Sequence, residues 1–210
     1  MGRNSGGVLF EGGRSSGKSG GSGRSNGTKG ATEKGYTAKM VRNIVGIEQK
    51  YRRNKDETLH VFTDKGDLVT SIGGKGAEVS LVGRTIPPDS ILTHNHPRSL
   101  GASGIERIGH SFSKADIRSA VKHNAKEIRA VTPTYTFSLK RPKGGWGVSA
   151  QEFVKVYDKT FDATLRSVRD YLDERKWSAS SKARVEVTTH HMVMKILAKR
   201  YGWDYSKKNK

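Results

Sequence analysis

The sequence predicts an α+β fold, because the spacing of its apolar residues changes period along the chain. At the front, Met40, Ile44, Ile47 and Tyr51 fall four, three and four apart, the stripe of an amphipathic helix over Ala38 to Arg53. In the middle, short runs rich in β-branched and aromatic residues are bounded by Gly, Pro and Asp. Towards the end the helical period returns, with Phe153, Tyr157, Phe161, Leu165, Val168 and Leu172 on one face.

The middle section reads as a succession of strands around one helix. Thr58–Thr63 and Leu68–Ile72 form a hairpin joined by the turn Asp64-Lys65-Gly66-Asp67. Gly73-Gly74-Lys75-Gly76 breaks the pattern, and Ala77–Val82 reads as a further strand. Pro87-Pro88 imposes an extended connection into a strand over residues 90 to 96. A helix follows from Lys114 to Asn124, then strands at Glu127–Val131 and Thr134–Lys140. Beyond residue 148, a long helix starts near Ser149 and a second carries Val187, Met194, Leu197 and Tyr201. A joint at Trp177-Ser178-Ala179-Ser180-Ser181 makes the two a C-terminal helical hairpin, and basic residues gather behind it at Lys207, Lys208 and Lys210.

Residues 1–35 contain 12 Gly and 6 Ser, a composition that buries too little apolar surface to offset the entropy of ordering. They are expected to be a disordered basic linker preceding a domain over 36–147 and a helical appendage over 148–210. Gly12-Gly13-Arg14-Ser15-Ser16-Gly17-Lys18-Ser19 has the letters of a phosphate loop. Its flanks are more Gly and Ser instead of a buried strand and a helix, so low complexity is the better reading.

Composition narrows the chemistry. The chain has 210 residues, 33% hydrophobic and 8% aromatic, enough for one modest core. It has no cysteine, which excludes disulfides, thiol nucleophiles and cysteine zinc sites. No apolar run has the length of a membrane span and the N-terminus lacks a signal-peptide core, so a cytoplasmic protein without membrane partners is expected. The net charge is +19, with basic residues outnumbering acidic ones 6 to 2 over residues 1–35, 19 to 10 over 36–147 and 14 to 8 over 148–210. A surface of this kind attracts nucleic acid through salt-dependent, sequence-independent contacts.

The chemistry is concentrated in His94-Asn95-His96-Pro97 and in Ser113-Lys114-Ala115-Asp116. On a strand, side chains two apart share a face, so both imidazoles point one way and Asn95 the other. Two imidazoles on one face suit a metal, and Asp116 offers a third ligand. Three protein ligands with one open position are the arrangement of a catalytic zinc site. Ser113 with Asp116 also reads as a helix capping box, a role compatible with ligation by the acid. Upstream stand three glutamates, Glu48, Glu57 and Glu78.

The order Glu, His-x-His-Pro, Ser-x-x-Asp resembles the JAMM motif of JAB/MPN metallopeptidases, and His-Asn-His-Pro resembles its RadC-type branch. The likeness covers roughly residues 56 to 140. Thr93-His94-Asn95-His96-Pro97 and Phe112-Ser113 with Asp116-Ile117 are also similar to phage-encoded proteins labelled head morphogenesis proteins. The resemblance implies a JAB/MPN-like mixed sheet flanked by helices, with zinc held by His94, His96 and Asp116. It further implies Glu57 as general acid/base, at the start of the hairpin, and Ser113 as the group steadying the oxyanion. A protein or peptide would be the substrate. Sixteen residues separate His96 from Ser113, more than the motif carries, so Arg98 to His110 is expected to loop out beside the site.

Other readings compete with this one. The alternative to a zinc peptidase or isopeptidase is a non-enzymatic virion-assembly protein that contacts DNA and other virion proteins. A nuclease of the HNH kind is disfavoured, since that motif spreads its residues across separate elements. His60, His110, His123, His190 and His191 have no partner at matching spacing, and the adjacent pair His190-His191 diverges by about 100° on a helix.

Overall fold

The computed structural model describes residues 35–97, 110–171 and 179–210. The expected linker before Gly35, the phosphate-loop look-alike, most of the expected insertion and the start of the interhelical joint lie outside the described residues. The fold is α+β: a six-stranded mixed sheet flanked by helices.

The first helical segment comprises α1 (Ala38–Met40), a π-helical turn at Val41–Val45 and α2 (Gly46–Tyr51). Thr37 caps its start by accepting from the Met40 N–H. Met40 and Ile44 are buried against Phe62 and Ile91, with Ile47 packed beside them. β1 (Thr58–Phe62) and β2 (Leu68–Gly73) form the hairpin. Its turn works because Gly66 sits at φ +84°, and a Cβ there would come within 2.8 Å of Met40.

β1 pairs antiparallel with β3 (Ile91–Asn95), which pairs parallel with β4 (Glu127–Val131). A parallel neighbour demands a crossover, and α3 (Lys114–Lys122) supplies it over one face of the sheet. All five residues of β3 and of β4 are buried, as expected for central strands covered on both faces. β5 (Tyr135–Lys140) then pairs antiparallel with β4, and β6 (Asp204–Asn209) with β5, giving the order β2-β1-β3-β4-β5-β6.

α4 (Ala150–Tyr171) and α5 (Ala179–Tyr201) form the expected pair of helices. Ser149 starts α4, with its hydroxyl accepting from the Glu152 N–H and the Glu152 carboxylate accepting in return from the Ser149 N–H. Phe153 and Tyr157 of α4 and Val193, Met194 and Leu197 of α5 join Leu59, Val61, Leu92, Ile117, Ile128 and Phe137 in one buried cluster. Trp146 and Trp203 meet edge to face at 5.2 Å, and the Trp203 indole donates to the Trp146 carbonyl. The core therefore runs across residue 147.

The structure corrects two expectations. Ala77–Val82 does not form a strand; that segment has one isolated bridge, Lys75 to Glu78, and Val79 and Leu81 pack on the core singly. Glycines on both sides, including Gly76 and Gly83 at positive φ, turn the chain too often for a ladder to form. Conversely, the basic tail after α5 is a strand. The free edge of β5 offers it a row of backbone partners from Tyr135 to Lys140.

The opposite face of the sheet carries an ionic network under α2. Arg129 donates to both carboxylate oxygens of Glu48, at 2.6 and 3.0 Å, and to Glu127 at 3.0 Å. Tyr36 and Ser138 donate to Glu127 at 2.7 and 2.6 Å, and Thr93 donates to Glu48 at 2.9 Å. Burial and the neighbouring Glu127 carboxylate push the Tyr36 hydroxyl far up.

Candidate metal centre

The alternation of β3 sets the site. His94 follows Leu92 onto the core face, whereas Thr93 and Asn95 point to the other, so the face expected for both imidazoles is the one α3 crosses. The His94 and His96 Nε2 atoms converge to 2.9 Å. Asp116 completes the group, Oδ1 lying 3.5 Å from His94 Nε2 and Oδ2 lying 3.9 Å from His96 Nε2. Tetrahedral zinc with bonds of about 2.0–2.2 Å holds its ligand atoms about 3.3–3.6 Å apart, and the three separations bracket that range. The donor set of two imidazoles and one carboxylate fits zinc.

Each ligand is fixed from behind. His96 Nδ1 lies 2.9 Å from the His110 carbonyl, which can only accept. The proton is therefore on Nδ1, and the neutral ring turns an Nε2 lone pair towards the other two ligands. The His94 ring also hydrogen-bonds to the Arg129 backbone. Asp116 is held by the capping box at the start of α3: its Oδ2 accepts from the Ser113 N–H at 2.6 Å, and Ser113 Oγ accepts from the Asp116 N–H at 3.1 Å.

Burial, followed by the adjacent His94, pushes His96 down to about 4. For His94, burial also pulls downward, but the Asp116 carboxylate beside it and, to a lesser degree, the Glu57 charge leave it raised. Burial alone would raise Asp116, yet the two imidazoles and the Ser113 N–H hold it well below the usual carboxylate range. The cluster thus keeps its carboxylate ionised and one imidazole neutral, the states in which both bind a metal.

The three glutamates separate clearly. Glu48 is committed to Arg129 on the far side of the sheet, and Glu78 lies exposed in the loop after β2. Glu57 immediately precedes β1, where Leu59 pairs with His94; two residues before Leu59, it belongs to the same face as the histidines. It is also the glutamate whose charge acts on His94. Ser113 is the helix cap and exposed, and the cap uses its oxygen as acceptor, leaving the hydroxyl proton to donate elsewhere.

Several contributors lie outside the expected set of site residues. Asn95 faces away from the candidate metal ligands and clasps the segment that carries Glu57. Its Oδ1 accepts from the Thr58 N–H at 2.8 Å, and its Nδ2 donates to the Asn54 and Asp56 carbonyls at 3.2 and 3.1 Å. Tyr157 of α4 lies near enough for the Asp116 charge, after burial, to push its hydroxyl up. The Lys114 ammonium donates to Asp158 at 2.8 Å, tying α3 to α4 beside the site. Strand alternation signals Asn95; the other two depend on how α4 crosses α3.

Comparison with protein-family models, with curated proteins and with solved structures finds no match to this chain.

Proposed function

We propose that this chain is a zinc-dependent peptidase or isopeptidase of JAMM type, acting on a protein or peptide in a phage or prophage setting. The observation that carries the reading is the convergence of His94, His96 and Asp116 with each ligand oriented by a backbone hydrogen bond. A zinc held by these three residues supplies Lewis acidity towards a water and a scissile carbonyl.

The remaining steps fall to the protein's own groups. Glu57 takes a proton from the attacking water, whose oxygen adds to the carbonyl carbon. When the C–N bond breaks, Glu57 returns that proton to the departing amine nitrogen. Ser113 turns its hydroxyl proton towards the oxyanion that forms between these steps. Asn95 keeps the Glu57 segment against the end of β3.

A zinc titration of the purified chain, followed by cleavage of a peptide library, tests the reading. One zinc equivalent should disappear in His94→Ala and His96→Ala, and library cleavage should disappear with it. Glu57→Gln should retain that equivalent while losing cleavage by about 10²–10⁴-fold. An unchanged zinc count in the His94→Ala/His96→Ala double variant would remove the site. Cleavage that survives Glu57→Gln would remove the role given to that residue.

The second reading, a non-enzymatic virion-assembly protein with nonspecific DNA binding, draws on the charge of +19 and on the basic edge strand β6, with Lys207 and Lys208 exposed.

A further inference from the structure

α5 places Glu186 and His190 four residues apart on one face, and the chain just before α3 brings His110 to them. His110 Nε2 lies 3.5 Å from Glu186 Oε1, and the rings of His110 and His190 stand edge to face with centroids 4.6 Å apart. One ligand atom from each of the three residues falls within 4.8 Å of the others. The 3.5 Å separation matches the edge of a zinc tetrahedron, about 3.3–3.6 Å for bonds of about 2.0–2.2 Å.

We propose that His110, Glu186 and His190 form a second transition-metal site, of zinc type, that ties the segment entering α3 to α5. The His190 ring is engaged by the Tyr157 hydroxyl, the Phe112 backbone and the Phe161 ring, and it stands beside the His110–Glu186 pair. Three features point to a metal. The donors are two imidazoles and a carboxylate, a set suited to zinc. Each is held independently of the ion: His110 through its carbonyl on His96 Nδ1, Glu186 and His190 by the helix, and the His190 ring also by the Tyr157 hydroxyl, 3.3 Å from Nδ1. The site is also open, with the His110 side chain 33% and that of Glu186 63% exposed, so an ion can enter and a water can complete its shell.

The site shares no ligand with His94, His96 and Asp116, and it stands whether or not the protein is a hydrolase. Isothermal titration of the full chain with zinc, repeated with cobalt and followed by visible absorption, separates the two. The wild type should take two equivalents. Glu186→Gln, at an exposed position where folding is not at risk, should weaken one class at least tenfold, and His190→Gln should remove it. His94→Ala, which leaves the His96 bond to the His110 carbonyl in place, should remove the other and leave this one. One wild-type equivalent that is lost in His94→Ala but indifferent to Glu186→Gln and His190→Gln would overturn the second site and leave the first standing. The reverse pattern would support the second site while removing the first, and a chain that takes up neither zinc nor cobalt would overturn both.

Discussion

Asn95 shows how much a single side chain does between two candidate ligands. Its neighbours on the strand point at the candidate metal position, while Asn95 uses both ends of its amide to pin the turn 54–58 to the end of β3. If Glu57 moves the proton, Asn95 is a positioning residue, because misplacing a base by about 1 Å costs on the order of 10²-fold. Asn95→Ala should therefore lower kcat of library cleavage with little change in zinc affinity, and Asn95→Asp should recover part of it through the Oδ1 contact to Thr58. Equal loss of zinc and of cleavage in Asn95→Ala would show that the residue merely supports the fold. At this scale the sequence is informative where a local period decides direction. The shared face of His94 and His96, the opposed face of Asn95 and the cap at Ser113 all follow from one strand and one helix start. His110 is different. Its partners lie on α5, and although Glu186 stands four residues before His190, no local period links either of them to His110.

Among the elements, β3, α3 and β4 form the unit that builds the site. Because β3 and β4 run parallel, the chain must leave the carboxyl end of β3 and return over the sheet, and the start of α3 therefore arrives beside His94 and His96. The same unit is anchored on its other face by Arg129 of β4, clamped between Glu48 of α2 and its own strand neighbour Glu127. Removing the guanidinium strands two carboxylates in the interior, so Arg129→Leu should destabilise the protein by about 3–5 kcal/mol in urea unfolding. Glu48→Gln should cost less, since Arg129 keeps Glu127. A loss below about 1 kcal/mol in Arg129→Leu would mean that water reaches the network. Helices and central strands are legible from their periods, but this network is not. Glu48 on a helix surface reads as solvated until the sheet closes over it. Likewise, Asp204-Tyr205-Ser206-Lys207-Lys208-Asn209 carries no strand signal. It pairs because β5 has an open edge and because Trp203 is buried just ahead of it.

For the whole molecule, charge outweighs shape as a guide to partners. Among the described residues no helix is long and apolar enough to cross a membrane, and the net charge is +19. Residues 1–35 contribute six basic against two acidic side chains, so most of the excess lies in the rest of the chain, including the exposed end of β6. Each phosphate neutralised by a lysine or arginine releases condensed counterions, and the affinity for duplex DNA then falls with salt at a slope of about 0.9 per contact on logarithmic axes. With three or more contacts, binding measured by fluorescence anisotropy should weaken more than about tenfold between about 50 and 200 mM salt, with no preference among duplexes of equal length. Removing residues 1–35 should weaken binding only in part. Replacing Lys207, Lys208 and Lys210 by Gln should lower the slope by about 0.9 for each contact that β6 makes. Neither change should alter the zinc titration, because no residue of either candidate metal cluster lies in those segments. If the slope is flat, or if one duplex sequence is strongly preferred, the charge serves something other than phosphate contact, and the virion-assembly reading loses its physical basis.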